Sequence, residues 1–227
     1  AIQTDFIELG RIEVLRGPQG TLFGQNSTGG AVNVISSKPS MDHVHGKADI
    51  AYGKYNSIRS RGAINVPLGN KAAMRAALSY YKHDGYSKNT VLNQDLDDAD
   101  NVSARLRLLF EPTDSVSINL SGQYFRQDSN GAAQKGRLDT TTGARNLAQD
   151  SIAEYLLESQ IYSAVIEWDF DTFSIKSLSS YQQDEVLIRR DNDRTDINSL
   201  PPFTLLPSFY DAEMGKPTTV TQEINII

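Results

Sequence analysis

A glycine-rich loop near the N-terminus is the first segment whose residues could do chemistry. Gly24 and Gly29 have the spacing of a phosphate-binding loop, and Gly30 follows directly. A phosphate-binding loop also needs a lysine and a hydroxyl residue after its second glycine, and a helix whose N–H groups point at the phosphate. The next lysine is Lys38, and the residues before it alternate as in a strand. The sequence therefore argues against nucleotide binding.

Histidines and acidic runs are the other candidates for chemistry. His43 and His45 would lie on one face of a strand, but no third ligand stands at a suitable spacing, so a metal site is not predicted. The acidic run 93–100 does not match the EF-hand pattern, although an irregular calcium site stays open there and in 191–196. No motif such as G-x-S-x-G or H-E-x-x-H occurs. We therefore expect neither an enzyme nor a bound cofactor.

Composition narrows the class of protein. The chain has 227 residues and a net charge of -6, whereas nucleic-acid-binding surfaces are basic, so no nucleic-acid partner is predicted. It has no cysteine, which excludes a disulfide framework and a thiolate metal site. No apolar run approaches the roughly 18 residues of a transmembrane helix. Strands of a membrane barrel expose only every second residue to lipid, so this composition is compatible with a barrel.

Alternation between apolar and polar residues dominates the chain after Pro39. In the clearest segment Leu106, Leu108 and Phe110 share one face, and Arg105 and Arg107 share the other. One such segment is a weak signal, but a series of segments about ten residues long is typical of a transmembrane β-barrel. The eight predicted strands lie near 43–54, 56–67, 71–83, 102–110, 115–126, 159–170, 173–186 and 217–227.

The connections between these segments support the same interpretation. Tight turns near 67–70, 111–115 and 169–172 alternate with long polar connections. The connection at 53–56 is short, yet the alternation otherwise holds. Outer-membrane barrels have short periplasmic turns and longer extracellular loops, whereas a soluble β-sandwich has no reason to collect its long loops at one end. The long connections are 83–100, 127–157 and 185–216.

Aromatic residues fall at two levels along the predicted strands. Two aromatic girdles at the two membrane interfaces would give this pattern. Strands are also enriched in aromatic residues for other reasons, so only the sorting into levels supports a barrel. The outer level contains Tyr52, Tyr80, Tyr81, Tyr124 and Phe125, and the inner level contains Phe110, Trp168, Phe170 and Phe173.

The stretch 12–39, IEVLRGPQGTLFGQNSTGGAVNVISSKP, reads as a strand, a glycine-rich loop, a strand and a proline stop. From about residue 11 to residue 39 it resembles the conserved core of the plug domain of TonB-dependent outer-membrane receptors. The resemblance implies that 1–40 is the C-terminal part of an α/β plug domain. It also implies that 41–227 is a partial antiparallel barrel, with about eight of the roughly 22 strands of such a receptor. The chain would thus be mainly β and a fragment, since both of its ends look cut.

The resemblance also implies site residues. Arg16 takes the place of the plug arginine that family members pair with glutamates of the barrel wall. Glu223, in the segment TQEINI, is the implied partner. The alternative is a solvated arginine and an unrelated glutamate, because many surface ion pairs contribute little. On the same basis the plug loop comprises Gly17, Pro18, Gly20, Gly24, Asn26, Gly29 and Gly30.

The function implied by the resemblance is active uptake of a scarce solute across the outer membrane of a Gram-negative bacterium. The family default is an iron–siderophore complex. The expected partners are TonB, through a segment absent from this chain, the solute, and outer-membrane lipid. Two alternatives stay open at this point. A passive porin-like barrel would share the strands but lack the plug, and a soluble β-sandwich binding module would share only the alternation.

Overall fold

The computed structural model describes residues 8–17, 29–137, 139–196 and 210–227, and all regular secondary structure in these ranges is β-strand. No helix that could cross a membrane occurs in the described part of the chain. The strands are β1 (Leu9–Arg16), β2 (Gly30–Ser36), β3 (His45–Gly53), β4 (Ser57–Pro67), β5 (Ala72–His83), β6 (Ser87–Asn89), β7 (Gln94–Leu96), β8 (Ala99–Thr113), β9 (Val116–Ser129), β10 (Asn146–Leu147), β11 (Glu154–Asp169), β12 (Ser174–Asp191), β13 (Tyr210–Gly215) and β14 (Thr218–Ile226).

One antiparallel sheet contains the long strands, in the order β3, β4, β5, β8, β9, β11, β12 and then β13 with β14. Its nine strands fill eight positions, because β14 pairs with residues 175–183 of β12 and β13 with residues 186–191. Pro217 lies between these two short strands and supplies no N–H to the ladder. The eight predicted strands are confirmed. Within the described residues β3 pairs only with β4, so the sheet is open at that edge and forms a partial barrel wall.

The two faces of this sheet differ in the way that the alternation predicts. Apolar side chains project from the outer face and are exposed, with Ile50 at 80% and Leu106 at 44%. The inner face carries Arg75 and Arg107, which lie directly opposite each other in β5 and β8. A soluble sandwich would cover its apolar face with a second sheet, whereas this face is exposed among the described residues. The exposed apolar face is what a lipid-facing wall requires.

The two long connections after β5 and β9 fold together instead of remaining simple loops. They form a small sheet in the order β10, β6, β7, and Leu96 of β7 and Leu147 of β10 form a buried apolar cluster with Ala153. The buried Asn89 amide donates to the carbonyl of Gln149 at 2.9 Å. The Gln94 side chain bonds both backbone groups of Ala153, at 2.7 and 3.2 Å. Side-chain amides here make the hydrogen bonds that a neighbouring strand would otherwise make. Such contacts follow no periodic pattern, so the sequence does not reveal them.

Candidate functional site

The open end of the hairpin formed by β1 and β2 contacts the inner face of the sheet. Glu8, just before β1, reaches Arg75 in the middle of β5. The guanidinium binds both carboxylate oxygens: Nε donates to Oε2 at 2.8 Å, and Nη2 donates to Oε1. The Glu8 side chain is 5% exposed and that of Arg75 is 11% exposed. Such a bidentate, charge-assisted contact is among the strongest polar contacts that side chains make.

Two further side chains surround this ion pair. The Lys47 ammonium lies 3.9 Å from Glu8 Oε1. His45 Nε2 lies 3.1 Å from Arg75 Nη1, and His45 Nδ1 lies 3.1 Å from the carbonyl oxygen of His43. These contacts fit a neutral imidazole with its proton on Nδ1, which accepts from the arginine and donates to the backbone. The described ranges contain no group of three His, Cys, Asp or Glu residues placed to hold a metal.

Arg107 binds the other strand of the hairpin. Its Nη1 donates to the carbonyl oxygens of Ser36 and Ser37, each at 3.1 Å. Arg75 and Arg107 are direct cross-strand neighbours, and like charges in that position destabilise a sheet. The Glu8 carboxylate and the two carbonyls offset this repulsion. The wall thus presents two arginines that are stable side by side while the hairpin is in place.

The segment between the hairpin and the sheet is also fixed to the wall. Asn65 of β4 is fully buried. Its Oδ1 accepts from the Ser40 N–H at 2.8 Å, and its Nδ2 donates to the carbonyls of Ser40 and His43, at 2.8 and 3.2 Å. One amide side chain therefore satisfies three backbone groups of an otherwise irregular segment. From the sequence, Asn65 was only a polar residue on the inner face.

The predicted plug-loop residues fall partly within the described chain. Arg16 ends β1, where it is exposed and lies opposite Gly30. Gly17 has a φ of 85°, and Gly30 has a φ of 132° with the position of a Cβ only 2.4 Å from the Leu15 carbonyl oxygen. Both positions therefore require glycine, whereas a Cβ on Gly29 would meet no atom within 4 Å. Pro18, Gly20, Gly24 and Asn26 lie outside the described residues.

Glu223 lies in β14, opposite Leu178 of β12. Following the register across the sheet puts its side chain on the inner face, the face that the hairpin contacts. Its Oε1 accepts from the Asn225 amide at 2.8 Å. The pairing of Arg16 with Glu223 stays a prediction. Glu8, Arg75 and Arg107 carry the observed contacts instead, and neither the motif nor the strand pattern pointed to them as a group.

Acidic residues in the long connections serve as backbone acceptors. Asp97 and Asp98 accept the N–H groups of Ala133 and Asn130 at 3.0 and 2.7 Å, and so join the two connections that form the small sheet. Burial opposes the ionisation of Asp139, but hydrogen bonds from Thr141 and from the Ala148 N–H outweigh it and hold its pKa below the ordinary value.

Asp191 behaves in the opposite way. With the roughly 45° tilt of a barrel strand, β12 rises by about 40 Å along the barrel axis between Ser174 and Asp191. The apolar band of an outer-membrane barrel is only roughly 25 Å tall, so Asp191 lies outside it. Burial, and then the neighbouring carboxylates Asp193 and Asp150, raise the pKa of Asp191 to about 6. Its Oδ1 accepts from the Arg194 N–H at 2.7 Å, whereas its buried Oδ2 has no hydrogen-bond partner among the described residues.

Solved structures of known proteins share this fold, although no protein-family model matches the chain. The ferric yersiniabactin uptake receptor FyuA of Yersinia pestis is 20% identical, with a TM-score of 0.71 over 80% of this chain and 29% of its own. The ferric-catecholate import receptor Fiu of E. coli K12 is 16% identical, with a TM-score of 0.70 over 98% of this chain and 36% of its own.

A third structure is the ferripyoverdine receptor of the outer membrane of Pseudomonas aeruginosa bound to ferripyoverdine. It is 18% identical, with a TM-score of 0.71 over 98% of this chain and 29% of its own. The chain thus spans about a third of the length of these receptors. At these identities the likeness establishes the fold. The prediction made from residues 11–39 is confirmed: the chain has the fold of a stretch of the TonB-dependent siderophore receptors.

Proposed function

We propose that the chain is part of a TonB-dependent receptor of the Gram-negative outer membrane that takes up a scarce solute, with an iron–siderophore complex as the expected class. The observation that carries the proposal is the grip of Arg75 and Arg107 on the N-terminal hairpin. In this proposal the hairpin is the end of a plug, and the sheet is the first part of the barrel wall around it.

The chemistry of the grip suits a plug that must move. A bidentate ion pair and two hydrogen bonds to carbonyls hold the hairpin in one place, yet breaking them exposes polar groups to a wet lumen instead of apolar surface to water. A passive porin has no need of such a contact. Since the outer membrane has no ATP supply, the force that breaks it would come from TonB.

The names of the structural neighbours support the solute class. They describe uptake or import receptors for ferric yersiniabactin and ferric catecholates, and a receptor bound to ferripyoverdine. None of the three names describes an enzyme. The exposed apolar outer face supports contact with outer-membrane lipid, since it would be costly in water.

The test is growth on chelated iron. Deleting the gene in the bacterium that carries it should abolish growth on at least one ferric siderophore under iron limitation, and the full-length gene should restore it. Deleting tonB should abolish the same growth. Uptake that persists without TonB would favour the porin-like alternative. Heat-modifiable migration of the protein from outer-membrane fractions should accompany these results, and its absence would contradict a barrel.

A further inference from the structure

Six side chains at the loop end of the sheet form a continuous series of ring and guanidinium contacts, which we name the outer ladder. Its first members are Arg59, Tyr81 and His83. The Arg59 Cζ lies 4.8 Å from the centre of the Tyr81 ring, and the centres of the Tyr81 and His83 rings lie 5.3 Å apart. His83 also stacks on Tyr86, at 5.9 Å and 14°.

The ladder is completed from a distant part of the chain. Arg145, in the connection between β9 and β11, lies with its Cζ 4.9 Å from the centre of the Tyr86 ring and 5.8 Å from that of Tyr55. Its Nη1 donates to the Tyr55 hydroxyl at 2.8 Å. A segment 90 residues away along the chain therefore closes a surface that begins on β4 and β5.

The outer ladder begins on the inner side of the wall. Tyr81 and His83 follow Arg75 along β5 at even spacing, so they share the face that the hairpin contacts. Arg59 is the cross-strand partner of Tyr81 in β4. Tyr55 lies in the β3–β4 turn and Tyr86 lies just beyond β5, so the ladder runs along the outer mouth. A solute that enters the barrel from outside would pass this surface.

The outer ladder carries two arginines that contact rings. Several other arginines on the strands have carboxylate partners instead, as in Arg61 with Asp49 at 3.1 Å and Arg189 with Glu154 at 2.9 Å. Within the described ranges neither Arg59 nor Arg145 forms an ion pair; each contacts aromatic rings. The chain as a whole is acidic, with a net charge of -6. Carboxylates are therefore available in the sequence, yet none pairs with these two guanidinium groups.

The remaining binding capacity of the ladder identifies a ligand class. A guanidinium has five N–H donors, and Arg145 directs one of them to Tyr55. Its free donors suit anionic oxygens. Tyr86 and Tyr55 are 42% and 48% exposed, and their rings, which also contact each other at 5.6 Å, suit a further flat ring in offset or tilted geometry. We propose that the outer ladder binds an anionic aromatic group of the solute, namely a phenolate or catecholate arm of a ferric chelate. The inference rests on the proposed function and names the substrate class within it.

A ladder that only holds the loop in place would show no preference between an anionic aromatic chelate and a neutral chelate without rings. A ferric trihydroxamate is a useful comparison, because it is neutral at the iron centre and its chelating groups carry no aromatic ring. It offers neither a negative charge to pair with Arg59 and Arg145 nor a ring to stack on the tyrosines. Selectivity between the two chelates therefore reports on binding by the ladder itself.

The test uses the full-length protein in detergent and measures binding of a ferric tris-catecholate and a ferric trihydroxamate. Wild type should prefer the tris-catecholate. Arg145→Gln and Tyr86→Leu should each weaken its binding roughly tenfold, the scale expected for losing a cation–π or stacking contact, and should leave binding of the trihydroxamate unchanged. Arg189→Gln is the matched control, since that arginine also lies at the loop end but pairs with Glu154.

Three results would overturn the inference. The first is wild-type preference for the trihydroxamate. The second is unchanged tris-catecholate binding in both ladder variants, with native heat-modifiable migration. The third is an equal loss for both chelates, which would make the ladder a fastening for the loop. In each case TonB-dependent growth on the trihydroxamate would leave the proposed function intact, whereas failure to use any ferric chelate would contradict that function too.

Discussion

Removing the charge of Glu8 should loosen the hairpin from the wall. In Glu8→Gln the guanidinium of Arg75, itself 11% exposed, loses its only carboxylate partner among the described residues and keeps its contact with His45. Breaking a buried ion pair by removing one partner costs about 3–5 kcal/mol. Because Arg75 keeps one contact and a glutamine can still accept one hydrogen bond, we expect a smaller cost than that range, about 2–3 kcal/mol.

Hydrogen–deuterium exchange of the β1 and β2 amides, in the full-length protein, measures this change directly. If these amides exchange when the hairpin leaves the wall, their protection falls with the free energy of that opening. A loss of about 2–3 kcal/mol corresponds to exchange roughly 30- to 150-fold faster. Exchange in β11 and β12 should stay as in wild type, because these strands do not contact Glu8.

Glu13→Gln is the matched control. Glu13 also belongs to the hairpin and also pairs with an arginine, but its partner Arg11 is 65% exposed. Hydrogen bonds from Arg11 and Asn33 lower the pKa of Glu13, yet such an exposed pair should change exchange little. Equal exchange in Glu8→Gln and Glu13→Gln would refute the idea that the buried pair holds the hairpin. Arg75→Gln should resemble Glu8→Gln, and the double variant should cost less than the sum.

Three further predictions concern the wall and the outer loops. Arg107→Ala should raise proteolytic cleavage near residues 36–40, because two backbone carbonyls lose a charged donor worth about 1.5–3 kcal/mol. Asn65→Ala should lower the thermal midpoint of the full-length protein and expose 40–43 to exchange, since three backbone groups lose the buried Asn65 side chain as their partner; an unchanged midpoint would contradict this. The pKa of Asp191, about 6, lies above the ordinary carboxyl value, so the folded loop 191–196 favours the protonated carboxyl. The loop is therefore stabilised as pH falls below 6, and this stabilisation is lost as pH rises through 6. Its exchange protection should be about tenfold greater at pH 5 than at pH 7.5, and Asp191→Asn should remove that difference.

The sequence predicted the wall well because alternation and turn position are local properties. All eight strands lie where the apolar period placed them, and the tight turns lie between them. The strands nevertheless run further than predicted at the loop end: β12 continues to Asp191, beyond the predicted 186. In β12 the residues beyond 186 are Leu187, Ile188, Arg189, Arg190 and Asp191. Apolar and charged residues occur there in runs, so this extension lacks the alternation that marks the rest.

The contacts of the hairpin were harder to predict for a physical reason. The pattern showed that Arg75 and Arg107 face inward, but the partner of an inward arginine depends on where the hairpin sits. The motif pointed to Arg16, whereas Glu8 lies just before the recognised stretch. Side-chain direction was a second difficulty. Tyr81 and Phe125 were expected in the outer girdle, but both point inward, and Phe125 is buried.

The pair of opposed arginines has a consequence for what happens after the hairpin leaves. Arg75 and Arg107 would then face each other across neighbouring strands without the groups that neutralise them. The vacated wall is thus an electrostatically unfavourable state, and a hairpin that brings back one carboxylate and two carbonyls relieves it. Release of the hairpin from the wall would therefore need an external pull, whereas its return would be favoured by charge alone.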